Sequence, residues 1–211
     1  MPKIVDEQTR EATRQRILRV AASEFARLGF EQTNINLIAE QAGIGKGTIY
    51  LYFENKRTLF LEMLRFIAQA HLREIRAALA TGDSLRQRLE ALFLAFVRLA
   101  ERESDSFHVF MSALYGVNRI FQQEAAALLR EYVAAIAHLL AEGQACGAMQ
   151  VPELEASALM VLSVTESYVL AARVLGYPAS VLASQAGAVA DFVLHGLGTS
   201  DSRSGERERG E

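Results

Sequence analysis

The sequence predicts an all-α protein, on three observations. Prolines stand only at positions 2, 152 and 178 of the 211 residues. No β-branched run alternates with polar residues at period two, and apolar residues recur at spacings of three and four between the glycines. With 51% of the residues apolar and 22% charged, the chain has the balance of a globular protein with a real core. Its length suits one large domain or two joined units.

The elements follow in order. From Thr9 to Leu28 the residues Ile17, Leu18, Ala21, Phe25 and Leu28 form one stripe of a helix, which Gly29 closes. A short helix from Ile35 to Ala42 takes an N-cap oxygen from Thr33 or Asn34. After a glycine-rich link, a long amphipathic helix runs from about Asn55 to Ala80, with Leu59, Phe60, Met63, Ile67, Ala70, Ile75 and Ala78 inward and Gly82 at its end. The rest divides at "TGDS", "YGVNR", "CGAMQVPE" and "GYPAS", each a cluster of turn residues. Helices are therefore expected near 84–103, 105–116, 120–145, 153–176 and 179–197. The polar, aperiodic end "DSRSGERERGE" reads as a solvated tail over 199–211.

Charge is unevenly spread. Residues 1–60 hold nine Lys/Arg against seven Asp/Glu, a net of +2, and residues 61–200 hold ten against fourteen, a net of −4. Only the front end is suited to a polyanion. The single Cys146 excludes an internal disulfide, and the histidines at 71, 108, 138 and 195 have no metal-ligand spacing. A reducing, cytoplasmic setting without metal or other cofactor is expected. The N-terminus has no apolar run of signal-peptide length. Glu166 and Arg173 interrupt the most apolar stretch, so that stretch reads as a buried helix and no membrane is expected.

In "TNINLIAEQAGIGKGTIYLYF" the spacing suits two short helices crossing steeply. Ala39 lets them approach, Gly43 takes a left-handed turn, and Ile38, Ala42, Ile44 and Ile49 fill the angle. The second helix starts at about Gly45 or Lys46, so its N-terminal side chains and free amides project outward, where a DNA major groove receives them. Lys46 and Thr48 reach base edges or phosphate, the Tyr50 and Tyr52 hydroxyls suit phosphate oxygens, and Gly47 permits close backbone approach. Thr33 and Asn34 stand on one side of this element. On the other, Lys56 follows Asn55 at the next helix start, where free amides favour an anion. Ile49 and Phe53 belong to the core.

The block from Thr33 to Leu61 resembles the DNA-binding segment of TetR/AcrR-type transcriptional regulators. The matching positions are Thr33, Ile38 and Ala39, Ala42 to Ile44, Gly47 to Phe53, and Lys56 with Leu59 and Phe60. Two positions depart: Gly45 and Asn34 replace the serine or threonine usual there, and Gly45 caps the more weakly. The resemblance implies a helix-turn-helix domain over 1–54 and a helical ligand-binding and dimerisation domain over 55–198. It further implies a homodimeric, ligand-responsive regulator, a repressor released by a small hydrophobic effector.

Reading DNA as a pair requires a dimer surface and a palindromic operator. The helices near 153–176 and 179–197 are the candidates, the first apolar almost all round and the second rich in small residues. Phe66, Phe107, Phe110, Met111, Tyr115, Glu166 and Tyr168 are candidates for lining an effector cavity, with plain core packing as the competing reading. Glu166 needs a partner in its apolar helix, be it Arg173, a tyrosine or a ligand cation. A small-molecule carrier with a non-functional helix-turn-helix is the rival function. An enzyme is disfavoured because no nucleophile, base and orienting group assemble from the pattern.

Overall fold

The computed structural model describes residues 6–115, 121–147 and 149–197. The expected tail over 199–211 and most of the "YGVNR" division lie outside them. The described elements are helical: α1 (Glu7–Gln32), α2 (Ile35–Gln41), a four-residue 3-10 helix (Thr48–Leu51), α3 (Lys56–Leu79), α4 (Leu85–Arg102), α5 (Ser104–Tyr115), α6 (Gln122–Ala145), α7 (Leu154–Val174), α8 (Ala179–Ser184) and α9 (Ala186–Leu197).

The chain forms two compact units. One holds residues 1–73 and 99–129, the other 74–98 and 130–211. The boundary thus falls inside α3, where a division after residue 54 is expected from sequence. The physical reason lies in the first unit's packing: its apolar face is completed by the early turns of α3 and by α5, which lies along α1.

In the first unit the stripe predicted for α1 is buried at Ile17, Leu18, Ala21, Ala22 and Phe25. Gly29, at φ 71° and ψ 172°, breaks the helix where the sequence ends it. Phe25, Phe30, Phe60 and Phe121 form an aromatic cluster with ring centroids 4.3–6.0 Å apart, three of the five pairs edge to face, a geometry that adds to plain area burial. This cluster seats α1 against α3.

In the second unit α7 buries Ala158, Val161, Leu162, Val169 and Ala172, with Glu166 only 2% exposed. The charge of Glu166 bears on Tyr132 of α6, whose hydroxyl is held well above its usual range, by burial first and by that carboxylate second. A tyrosine is thus among the surroundings of the buried acid. By length and composition alone α7 is long and apolar enough to cross a membrane; one face of it is buried in the helical unit, while Leu159, Met160, Tyr168 and Val174 are exposed, so the helix expected to be buried is buried on one side. Arg86 of α4 grips Asp191 of α9 with two bonds of 3.0 and 2.9 Å.

The segment expected as one helix over 179–197 is two. The Ser184 hydroxyl donates to the Val181 carbonyl at 2.7 Å, and the Gln185 amide bonds Leu182 in the tighter i to i−3 manner at 2.9 Å. Such back-bonding loosens the α pattern, and α8 ends there.

Candidate nucleic-acid interface

The interface is built from the turn between α2 and the 3-10 helix. Asn34 caps α2, its Oδ1 accepting the Asn36 amide at 2.9 Å. At the other end the Gly43 amide bonds the Glu40 carbonyl and the Ile44 amide bonds Ala39, both at 3.0 Å. With Gly43 at φ 68° this is a Schellman ending, which requires a left-handed residue at that place. The chain thereby reverses sharply, and Ile38, Ala39, Ala42 and Ile49, all at 0–1% exposure, fill the angle.

Polar anchors fix this corner from beneath. The Arg16 guanidinium donates to the Ala42 carbonyl at 2.8 Å. Glu24, buried on α1, accepts from Arg27 at 2.7 Å and from Gln41 at 3.2 Å. The Arg27 bond, helped by Gln41 and opposed by burial, holds the Glu24 carboxyl below its ordinary range, so it stays ionised and keeps both partners. Arg14 pairs with Glu62 of α3 and lies over the Phe53 ring.

The second helix differs from expectation. A helix beginning at Gly45 or Lys46 is anticipated, and only Thr48–Leu51 is helical, in 3-10 form. The Thr48 amide bonds the Gly45 carbonyl at 2.8 Å, and the Tyr52 and Phe53 amides both bond Ile49 at 3.0 Å. No side chain caps it. With glycines at 45 and 47 no hydroxyl is available to hold the preceding amides, so the turn tightens instead of extending as an α-helix.

The two glycines differ physically. A Cβ on Gly45 would stand 3.2 Å from the Thr48 hydroxyl, whereas a Cβ on Gly47 would meet nothing within 4 Å. Gly45 has an internal reason to be bare. Gly47, at φ −74° and ψ −24°, has none. Around it Lys46 is exposed, with no internal partner among the described residues; Tyr50 is 48% exposed, and Thr48 and Tyr52 are half-buried.

Two sequence-expected contacts are already committed to the protein itself. Thr33 is 3% exposed, and its hydroxyl donates to the Gly29 carbonyl at 2.6 Å, with that of Glu24 at 3.3 Å. It closes the end of α1, while Asn34 alone caps α2. Lys56 donates to the carbonyls of Glu31 at 2.9 Å and Thr33 at 3.3 Å, over the Phe30 ring at 4.8 Å, which uses two of its three N–H groups. The next cation, Arg57, pairs with Glu124 at 2.8 Å. Asn55 caps α3 by accepting the Thr58 amide at 2.9 Å. One residue passed over in the sequence stands out: Leu51 is 76% exposed.

The residues named for an effector cavity fall in both units: Phe66, Phe107, Phe110, Met111 and Tyr115 in the first, Glu166 and Tyr168 in the second. Phe66 borders a cleft of about 560 Å³ with Arg19, Ile67 and Ser104. Phe107 and Phe110 are buried against His71, at 6.3 and 5.8 Å between ring centroids, and Met111 is buried beside them in α5. Tyr115 and Tyr168 are 57% and 42% exposed, the Tyr168 ring lying 5.8 Å from that of Phe93.

Residues 17–63 match the family described as bacterial regulatory proteins, tetR family. The chain is 38% identical over 93 residues to the probable acrEF/envCD operon repressor of Escherichia coli (strain K12), covering 42% of this chain and 41% of that one. It is 29% identical over 106 residues to the transcriptional activator FasR of Mycolicibacterium smegmatis, covering 50% and 48%. It thus spans less than half the length of these curated relatives. The whole fold is similar to that of the regulator FadR from Bacillus subtilis, solved with stearoyl-CoA, at a TM-score of 0.75 and 19% identity over 87% of this chain and 98% of that one. The matched stretch is the one whose corner, reversed at Gly43, presents Lys46 to Leu51. Over residues 17–63 the chain therefore carries a helix-turn-helix segment that matches the tetR-family model and resembles the corresponding part of TetR/AcrR-type regulators.

Proposed function

We propose that the protein is a ligand-responsive transcriptional regulator, a repressor that holds a palindromic operator as a homodimer and lets go when a small hydrophobic molecule binds. The observation that carries this reading is the turn at 46–51: an exposed Lys46 with no partner among the described residues, a Gly47 that the fold itself does not require, and outward Tyr50 and Leu51. Such a surface is of little use to a small-molecule carrier. The relative with the highest identity reported above is a repressor by name, which favours repression over activation.

A dimer is supported by exposed apolar side chains on the last helices: Leu159, Met160, Val174, Leu175, Val181 and Phe192 are 42–82% exposed, and apolar surface of this kind is what a partner copy would cover. Covering this face with a second copy places two reading turns one groove repeat apart, about 34–36 Å. The effector acts by binding one spacing of the pair better than another, since only differential affinity shifts such an equilibrium. Stearoyl-CoA in the structural relative FadR sets a precedent for an apolar effector.

Footprinting of genomic fragments with the pure protein tests the reading: a protected palindrome is expected, and protection at no sequence ends it. The salt dependence apportions the cations. Each phosphate contact contributes about 0.9 to the slope of log affinity against log salt, so Lys46→Ala lowers the slope by nearly two units for a dimer. Lys56→Ala changes it less and instead lowers the melting temperature, because the ammonium ties α3 to the end of α1. Equal slopes for the wild type and Lys46→Ala remove Lys46 from the interface.

A further inference from the structure

The Thr48–Leu51 turn presents one side chain whose chemistry is out of keeping with its neighbours. Leu51 carries no donor and no acceptor, and it is 76% exposed while Ile49, two residues before it, is 0%. A lone exposed leucine elsewhere on the surface is ordinary. Here the position gives it meaning. In a 3-10 helix residues three apart eclipse one another, so Leu51 stands in register with Thr48, and the pair offers a methyl-bearing hydroxyl followed by an isobutyl tip. Tyr50 beside it has a hydroxyl for phosphate; Leu51 has nothing to offer a phosphate.

The edges of base pairs in the major groove carry donors, acceptors and one apolar group, the 5-methyl of thymine. An apolar side chain brought to that groove has this single target. Resting on the DNA-binding reading above, we infer that Leu51 is a specificity-determining residue that reads a thymine methyl in each operator half-site, with Thr48 alongside it. Lys46 and the tyrosine hydroxyls then hold the backbone without choosing sequence, and selectivity at that base pair comes from apolar contact.

The test uses the full-length protein and the duplex it selects from a random-sequence pool. Each thymine is replaced singly by deoxyuridine, which removes the methyl and leaves pairing intact. One position per half-site is expected to cost the wild type about fourfold in affinity, the factor for losing one methyl-sized apolar contact. Leu51→Ala, exposed enough to spare the core, should bind the thymine and deoxyuridine duplexes equally while keeping the wild-type salt slope. A penalty of the same size in Leu51→Ala, or no penalty at any thymine in the wild type, overturns the assignment and leaves the regulator standing. If Leu51→Ala binds too weakly to titrate, the selection is repeated with Leu51→Gln. The preferred base at that one position must then change, and an unchanged consensus overturns the assignment. A wild type that selects no duplex removes the DNA-binding reading and Leu51 with it.

Discussion

Replacing Gly47 by alanine leaves the chain at least as stable as before and lowers operator affinity on the order of a hundredfold, about 1.4 kcal/mol from each of two reading turns. The two halves of that result come from one observation. The backbone at Gly47 has helical angles, φ −74° and ψ −24°, which alanine adopts without strain. The new Cβ would find open space, with nothing of the protein within 4 Å. In such a place glycine costs about 0.5–1 kcal/mol relative to alanine, through the freedom it gives the unfolded chain. A residue that weakens the fold and relieves no internal clash is explained by something outside that comes close, and a sugar-phosphate backbone laid against the turn is such a body. Gly45→Ala serves as the control in the opposite sense, since its Cβ would crowd the Thr48 hydroxyl at 3.2 Å and disturb the turn from within. Thermal melts and affinity for the footprinted duplex, measured on both variants, decide the matter. Full affinity in Gly47→Ala would show that nothing approaches there.

The contrast between these glycines also marks where sequence reading stops. Gly43 was legible because its function is local: a Schellman ending demands a left-handed residue three beyond Glu40 and one before an apolar residue, and the sequence contains both. Several helix limits were legible for the same reason, as at Gly29, Gly82 and Gly176, whereas the breaks between α4 and α5 and between α8 and α9 carry no such mark. The 3-10 form of Thr48–Leu51 was not, since over four residues the apolar spacing of a 3-10 turn and of an α-helix are nearly alike.

Nor was the occupation of Thr33 and Lys56. A threonine and a lysine beside a helix start look the same whether they face a phosphate or carbonyls at 29, 31 and 33, and only the tertiary approach of α3 to the end of α1 chooses. Leu51 was missed because an apolar residue in a motif reads as core until its exposure is known. The placing of Tyr132 near Glu166 required the packing of α6 against α7, which no local pattern encodes.

The second large effect is an acid weakness at His71. Its side chain is 2% exposed, packs against Phe107 and Phe110, and has an Nε2 with no hydrogen-bond partner among the described residues. The Glu103 carboxylate, 3.8 Å from that nitrogen, would favour an imidazolium, and burial disfavours it. Burial wins, and the ring's pKa falls from 6.5 to about 4. Above pH 6.5 neither the folded nor the unfolded chain protonates this ring, and stability is unaffected by it. As pH falls below 6.5 the unfolded chain takes up the proton and the folded chain does not, so stability is lost at about 1.36 kcal/mol per pH unit until the folded ring also titrates near pH 4. The difference, 6.5 less 4, amounts to about 3 kcal/mol in all, a large share of a domain's 5–15 kcal/mol. The unit that weakens is the one that carries the reading turn, so DNA affinity should fail in acid along with it. His71→Leu removes the titrating group and the unsatisfied nitrogen at similar volume. Urea melts at pH 7.5 and 5.0 should show the wild type losing about 2 kcal/mol more than this variant on acidification, from 1.5 pH units at the same slope. Equal losses in the two proteins would mean that the ring titrates alike in the folded and unfolded chains, the Glu103 carboxylate offsetting its burial.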